Sequence, residues 1–306
     1  MSILVIGAVF VDIKGFPFDN YLPTGRNAGR VEYVHGGVAR NVVEDIANVE
    51  LRPTFLSIVD DTPMGAAVLQ KLNNHKVNTD YVLTRPDGMG TWLAVFDSTG
   101  DVAGSISKRP DMYPIAELLE EKGDGIFSQV RSVVLEIGLD KEIVKGTLRL
   151  AKKHKVQTFA LVANMSIAAE RRDLLQQFDC VICNQQEAGI LFLDDYNDKN
   201  PEQMRDILAE RIIAARIPSM VVTMGGEGAV YADLSGQKGI CPARKVQVKD
   251  TTGAGDAFCA GVAIGMTYGK TIAQAVEIGT LLAASVITSS ENVCPRFRPE
   301  ELGIQV

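Results

Sequence analysis

The chain has 306 residues, 46% of them hydrophobic and 23% charged, with a formal net charge of −7. That composition suits a soluble globular protein with enough chain to bury a full core. The acidic balance, with no run of Lys and Arg to offset it, excludes a nucleic-acid-binding surface.

The chain opens on "MSILVIGAVFVDIKG", which has no basic leader and no small-residue cleavage site and meets Asp12 too soon to span a bilayer. It reads as a first buried strand, "ILVIGAVF", of a cytoplasmic protein with no membrane partner. Residues 12–35 carry Gly15, Pro17, Pro23, Gly25 and Gly29 and then a short strand, "RVEYVH". A helix over 37–49, the strand "TFLSIV" and a helix over 63–74 follow. Residues 90–107 read as a β-hairpin turning at Asp97, Ser98, Thr99 and Gly100. Beyond it "SVVLEIG", "VQTFALV", "CVIC" and "SMVVTMG" read as buried strands, interleaved with helices over 140–154, 166–177 and 201–215. Residues 254–288 form two long helices, apolar almost all round and so deeply buried, the second capped by Thr271.

Strand–helix alternation of this kind predicts an α/β fold: a doubly wound, mainly parallel sheet with helices on both faces. The segments at about 12–35 and 88–108 have no helix after them and fall outside that sheet as a small β-flap, a lid. No repeat or linker appears, so residues 1–306 read as one domain.

The five cysteines, with no signal peptide, read as reduced thiols. Cys180 and Cys183 form a C-x-x-C, but inside a strand pattern, which favours core thiols over a redox pair. The histidines His35, His75 and His154 are scattered, which argues against a zinc site.

Five breaks in the pattern could carry chemistry. In "DTTGAGDAF" the glycines bare backbone N–H groups at a helix N-terminus, an anion site, with Asp256 in the first turn. An ordinary turn explains that stretch equally well by itself. "TMGGEG", residues 223–228, places glycines at a strand's end where a nucleotide could approach, or is a plain hairpin. "GGVARN" opens an amphipathic helix with Asn41 in its second turn, and a helix start with a polar turn is the simpler account. Asn184 and Glu187 in "NQQE" are oxygen ligands suited to Mg²⁺ through water, or an N-cap and its capping box. Asp12 follows the first strand. "GMTYGKT" has one residue too few between its glycines for a Walker A loop and follows a helix. In a doubly wound sheet the five breaks align along one edge. An anion hole, an oxygen-ligand site, a glycine ledge and an acid together suit phosphoryl transfer.

The same residues resemble the ribokinase (PfkB) family of carbohydrate kinases. "DTTGAGDAFCAG" is similar to its C-terminal signature, "GGVARN" to its G-G-x-x-x-N motif, "NQQE" to N-x-x-E and "TMGGEG" to its nucleotide loop, in the family's order over essentially the whole chain. The resemblance implies ATP as phosphoryl donor and Mg²⁺, with a sugar or nucleoside hydroxymethyl group as acceptor. It makes Asp256 the base and gives the amides of Gly253, Ala254 and Gly255 the charge on the transferred group. Asp12, Gly36, Gly37 and Asn41 would hold substrate hydroxyls. Asn184 and Glu187 would organise Mg²⁺ and phosphates, and Thr223, Gly225, Gly226 and Gly228 would border ATP. Asp250 and the Thr252 carbonyl match a monovalent-cation (K⁺) site, although the family's Gly-Ala turn there is replaced by "SSENVCP". Arg40, "FDSTGDV" and "SSENVCP" look most like the pseudouridine-kinase branch, with a ribokinase- or fructokinase-type sugar kinase as the alternative. A non-catalytic sugar-binding member would have lost Asp256 or the glycines, and a dehydrogenase needs an absent G-x-G-x-x-G. The flap is expected to close on substrate and to pair two copies as a homodimer.

Overall fold

The computed structural model describes residues 2–162 and 169–305. Its main sheet contains β1 (Ser2–Ile6), β4 (Thr54–Val59), β5 (Asn78–Thr84), β8 (Val130–Glu136), β9 (Gln157–Leu161), β10 (Cys180–Asn184), β11 (Ser219–Thr223), β12 (Ala229–Asp233) and β13 (Lys238–Cys241). Across the sheet the order is β13-β12-β11-β10-β9-β8-β1-β4-β5. Every pairing from β5 to β11 is parallel, with Leu4 opposite Thr54 on one side and Val133 on the other; β12 and β13 are antiparallel additions.

The helices are α1 (Val38–Asn48), α2 (Pro63–Asn74), α3 (Tyr113–Phe127), α4 (Lys141–His154), α5 (Arg172–Leu175), α6 (Gln185–Phe192), α7 (Pro201–Ala215), α8 (Ala254–Thr267) and α9 (Ile272–Ile287). They cover both faces, which is why the strands read as unbroken apolar runs. Side chains alternate across β1: Ile3 and Val5 join a core with Val42, Ile46, Val262 and Val276, while Leu4 and Ile6 join one with Leu118, Val144 and Leu208. Cys180 and Cys183 are free and buried and fall on opposite faces of the sheet. No helix among the described residues is long and apolar enough to cross a membrane.

Three elements escape the sequence reading. Helix α3 carries Gly123 and Gly125, poor helix formers, and gains its place by burying Ile115, Leu119, Ile126 and Phe127. β5 and β13 are edge strands, half-exposed and therefore without a clean apolar run. Of the helix expected over 166–177, residues 166–168 lie outside the described residues, and the one turn of α5 follows. Helix α1 has the expected amphipathic pattern, yet residues 39–48 are all buried, polar ones included, so its polar face is covered by the fold and not by solvent.

The remaining strands form a second sheet of order β3-β2-β6-β7, with β2 (Phe10–Pro17), β3 (Gly29–Gly36), β6 (Gly90–Phe96) and β7 (Val102–Lys108). Asp12 lies inside β2, opposite Trp92 of β6, and not at the end of the first main-sheet strand. The expectation for Asp12 is corrected here: the first apolar run contains two strands, β1 and β2, separated by Gly7–Val9. Asp12, Trp92, Phe16 and Phe96 share one face by register, and Phe16 stacks on Phe96 with ring centroids 4.7 Å apart. Val31, Tyr33, Leu93 and Ile106 share the other face and are exposed.

Candidate active site

The strand order reverses direction around β1, whose neighbours are β4 and β8. At such a switch point the strand ends leave a crevice. Glu136, the last residue of β8, points back over it, its Oε2 accepting the Ala8 N–H at 3.0 Å. The Gly36–Gly37 turn leads from β3 into α1 on the same side. Gly36 has no room for a side chain because a Cβ would overlap the Asp12 carboxylate, so the glycine lets that acid fold down over the turn. Gly37 occupies the N-cap position of α1, close against Ala8 and Val9.

Helix α8 aims its N-terminus at the crevice. The preceding loop is tied by Asp250, whose Oδ1 accepts the Thr252 N–H at 2.8 Å. Gly253 then takes the left-handed conformation, φ 82°, directly under the Asn292 carbonyl. The Ala254 N–H donates to Thr251 O at 3.2 Å, whereas no acceptor among the described residues takes the N–H of Gly253, Gly255 or Asp256. Of the amides expected to form the anion hole, that of Ala254 is engaged in closing the turn, while those of Gly253 and Gly255, and also that of Asp256, are open. Free donors at the positive end of a buried helix suit an anion.

Asp256 Oδ2 accepts a hydrogen bond from Asn41 Nδ2 at 2.6 Å, joining α8 to α1. Desolvation pushes this carboxyl up to about 7; the Asn41 hydrogen bond and the Arg40 charge oppose the rise, and Glu136 and Asp12 add to it. Asp12 and Glu136 are themselves raised by burial. Three carboxyls converge, and burial outweighs the opposing charges of Arg40, Lys14 and Arg109, an arrangement that suits hydrogen bonding to hydroxyl groups. Glu136 is the residue of this crevice that sequence reasoning missed. Its signal was present: a single carboxylate at the end of the apolar run "SVVLEIG".

Residues 1–294 match the family described as pfkB family carbohydrate kinase. The chain belongs to the PfkB family of carbohydrate kinases. Guanosine-inosine kinase of Exiguobacterium acetylicum is 35% identical over 295 residues, which cover 95% of this chain and 96% of that protein. Pseudouridine kinase of Escherichia coli strain K12 is 26% identical, covering 90% of this chain and 87% of that one. The structure of Arabidopsis thaliana ribokinase complexed with ribose and ATP superimposes with a TM-score of 0.86 at 20% identity, covering 98% of each chain. The protein is thus a ribokinase-like kinase of the sugar and nucleoside class.

In this PfkB chain the residues expected at the nucleotide lie farther along the same edge. β10 and β11 stand two and three places from β8, about 10 and 14 Å away at ordinary strand spacing. Asn184 ends β10 opposite Thr223, the last residue of β11. Asn184 Oδ1 accepts the Glu187 N–H and Glu187 Oε2 accepts the Asn184 N–H, both at 2.8 Å, so the capping box is real. Among the described residues the second Glu187 oxygen has no hydrogen-bond partner and no cation offsets the rise that burial gives this carboxyl. Gly225 and Gly226 form a tight turn after Thr223, and a Cβ on either meets nothing. Gly228 is different: a Cβ there would overlap Cys241 and Pro242, and its φ of 102° favours glycine, so the backbone itself requires this residue.

Proposed function

We propose that the protein is a cytoplasmic, ATP-dependent nucleoside kinase that phosphorylates the ribose hydroxymethyl group, with guanosine and inosine as the preferred acceptors. The observation that carries the reading is Asp256, poised near neutrality in the first turn of α8, beside three unpaired amides. In this scheme the acceptor hydroxyl gives its proton to Asp256 as its oxygen attacks the γ-phosphorus of ATP, and the bond to the β-phosphate oxygen breaks to release ADP. The amides of Gly253, Gly255 and Asp256 stabilise charge on the group in transit. Asp12, Glu136 and Asn41 hold the sugar hydroxyls, and Gly36 and Gly37 set the turn that seats them. Thr223, Gly225 and Gly226 border ATP.

Glu187 and Asn184 suit Mg²⁺, because a half-buried carboxylate with no cation partner among the described residues is the donor a hydrated divalent ion satisfies. Bound there, it would neutralise phosphate charge. The Asp250 carboxylate, with the Thr252 carbonyl, supplies oxygens of the kind K⁺ takes.

A nucleoside is favoured over a free sugar by the aromatic wall of the lid. Trp92 lies opposite Asp12 on one face, and Phe96 meets it edge-on with centroids 6.4 Å apart. A base attached to a ribose held by Asp12 would stack there. The guanosine-inosine and pseudouridine kinases among the relatives support this reading, the former at the higher identity. The pseudouridine reading keeps the support of Arg40 and "SSENVCP". The second sheet acts as the lid of a single catalytic domain, and its exposed apolar face (Val31, Tyr33, Leu93, Ile106) pairs two copies.

ADP formation with Mg²⁺ and a panel of guanosine, inosine, pseudouridine, adenosine, ribose and fructose tests the reading. The purine nucleosides should give the highest kcat/KM. A preference for ribose or fructose would sink the nucleoside assignment, and silence across the panel would sink the kinase chemistry assigned to these residues. With the preferred acceptor, kcat/KM should rise with pH through about 7 and level off above it, because only ionised Asp256 accepts a proton. An acid limb near the ordinary carboxylate value of about 4 would contradict the environment described for Asp256.

A further inference from the structure

Arg40 is the largest fully buried side chain of the core, at 1% exposure, and the base reading of Asp256 does not use it. Its guanidinium donates to four acceptors around the entry to α1. Nε reaches Gly36 O at 3.4 Å, Nη2 reaches His35 O at 2.7 Å and the Asn41 Oδ1, and Nη1 pairs with Glu44 Oε2 at 2.5 Å. Glu44, itself 0% exposed, faces Lys71 Nζ with its other oxygen at 2.9 Å. The network therefore runs from Lys71 at the surface through Glu44, Arg40 and Asn41 to Asp256.

A guanidinium has donors only, so the oxygen of an amide beside it must turn toward it. That leaves Asn41 one orientation, with its NH₂ facing Asp256. We propose that Arg40 is a positioning residue of this kinase: locked by Glu44, it fixes the Asn41 amide so that its NH₂ holds the Asp256 carboxylate in its ionised form. The inference rests on the reading of Asp256 as the base. With a neutral side chain at position 40 the Asn41 amide could turn its oxygen toward Asp256, an arrangement that only a protonated carboxyl tolerates. The charge of Arg40 acts in the same direction. It stands against the other groups that face Asp256: Asp45 from α1, Asp12 from β2, Glu136 from β8 and Cys259 from α8.

The experiment is the pH profile of kcat/KM for Arg40→Met, Arg40→Lys and the double variant Arg40→Met/Glu44→Leu. The double variant removes the buried pair together, so it is expected to fold even where the single change, which leaves Glu44 with Lys71 alone, does not. The acid limb should move up by about one pH unit in Arg40→Met and in the double variant. That is roughly a tenfold loss below the limb, recovered at alkaline pH. Arg40→Lys, which keeps a charged donor, should return the limb toward wild type. Rates that fall evenly at all pH values with the limb unmoved would reduce Arg40 to a structural part and overturn the proposal. Asp256→Asn in parallel keeps the two claims apart: if it retains full activity, the base reading fails and the Arg40 inference falls with it. If it is inactive while the limb of the double variant stays in place, only the Arg40 inference fails.

Discussion

Asp256→Asn is expected to lower kcat by about 10²–10⁴-fold while leaving KM for ATP little changed, because a general base acts in the transition state and not in nucleotide binding. The substitution is nearly isosteric, and an amide oxygen can still accept from Asn41 Nδ2. Folding should therefore survive, and stability should increase at high pH. The folded pKa of Asp256, about 7, lies above the ordinary value of 3.8, so the native state binds this proton more tightly than the unfolded chain does. The stabilisation from that proton is complete below about pH 4 and is lost as pH rises through 7. Asn has no charge to bury, so the thermal midpoint of the variant should exceed that of wild type above pH 7, and the gap should close in acid. Full activity in Asp256→Asn, or a rise in KM for ATP with kcat intact, would remove the carboxylate from the base role. A midpoint difference independent of pH would contradict the burial argument.

Gly253→Ala is expected to be the second most damaging single change. Its φ of 82° is strained for any residue with a Cβ, and that Cβ would overlap the Asn292 carbonyl. The strain costs about 1–3 kcal/mol, and relief requires moving the loop that roofs the anion site. Loss of an aligned donor costs about 10²–10³ in kcat. Activity and thermal midpoint should fall together. Gly255→Ala separates the two effects, because a Cβ at that position meets no protein atom. It should fold with an unchanged or higher midpoint and still lose activity, since the space it fills is the space assigned to the phosphoryl group. If Gly255→Ala turns over normally, that space holds no phosphoryl group, and the anion site must be drawn elsewhere.

The main sheet was legible because its physics is local. A strand covered on both faces must be apolar throughout, so "TFLSIV" and "SMVVTMG" announce themselves. Helix ends marked by Asn184 with Glu187, and by Thr271, follow from capping chemistry within four residues. α3, β5 and β13 were not legible, because glycines inside a helix and half-exposed edges weaken the local pattern and tertiary packing decides.

The site divides in the same way. The glycine turn before α8, the glycines after β11 and the place of Asp256 in the first turn of α8 were legible in the sequence alone, because each depends on backbone freedom and residue type over a few positions. The partners of these groups were decided only in three dimensions. Asn41 lies 215 residues from Asp256 yet donates to it at 2.6 Å. Glu136 and Asp12 reach the same crevice from β8 and β2, and α1 hides Arg40 and Glu44 where periodicity alone would put a solvated face. Raising a carboxyl toward neutrality requires desolvation and the sum of several charges, and both are properties of what the fold brings together across the sheet.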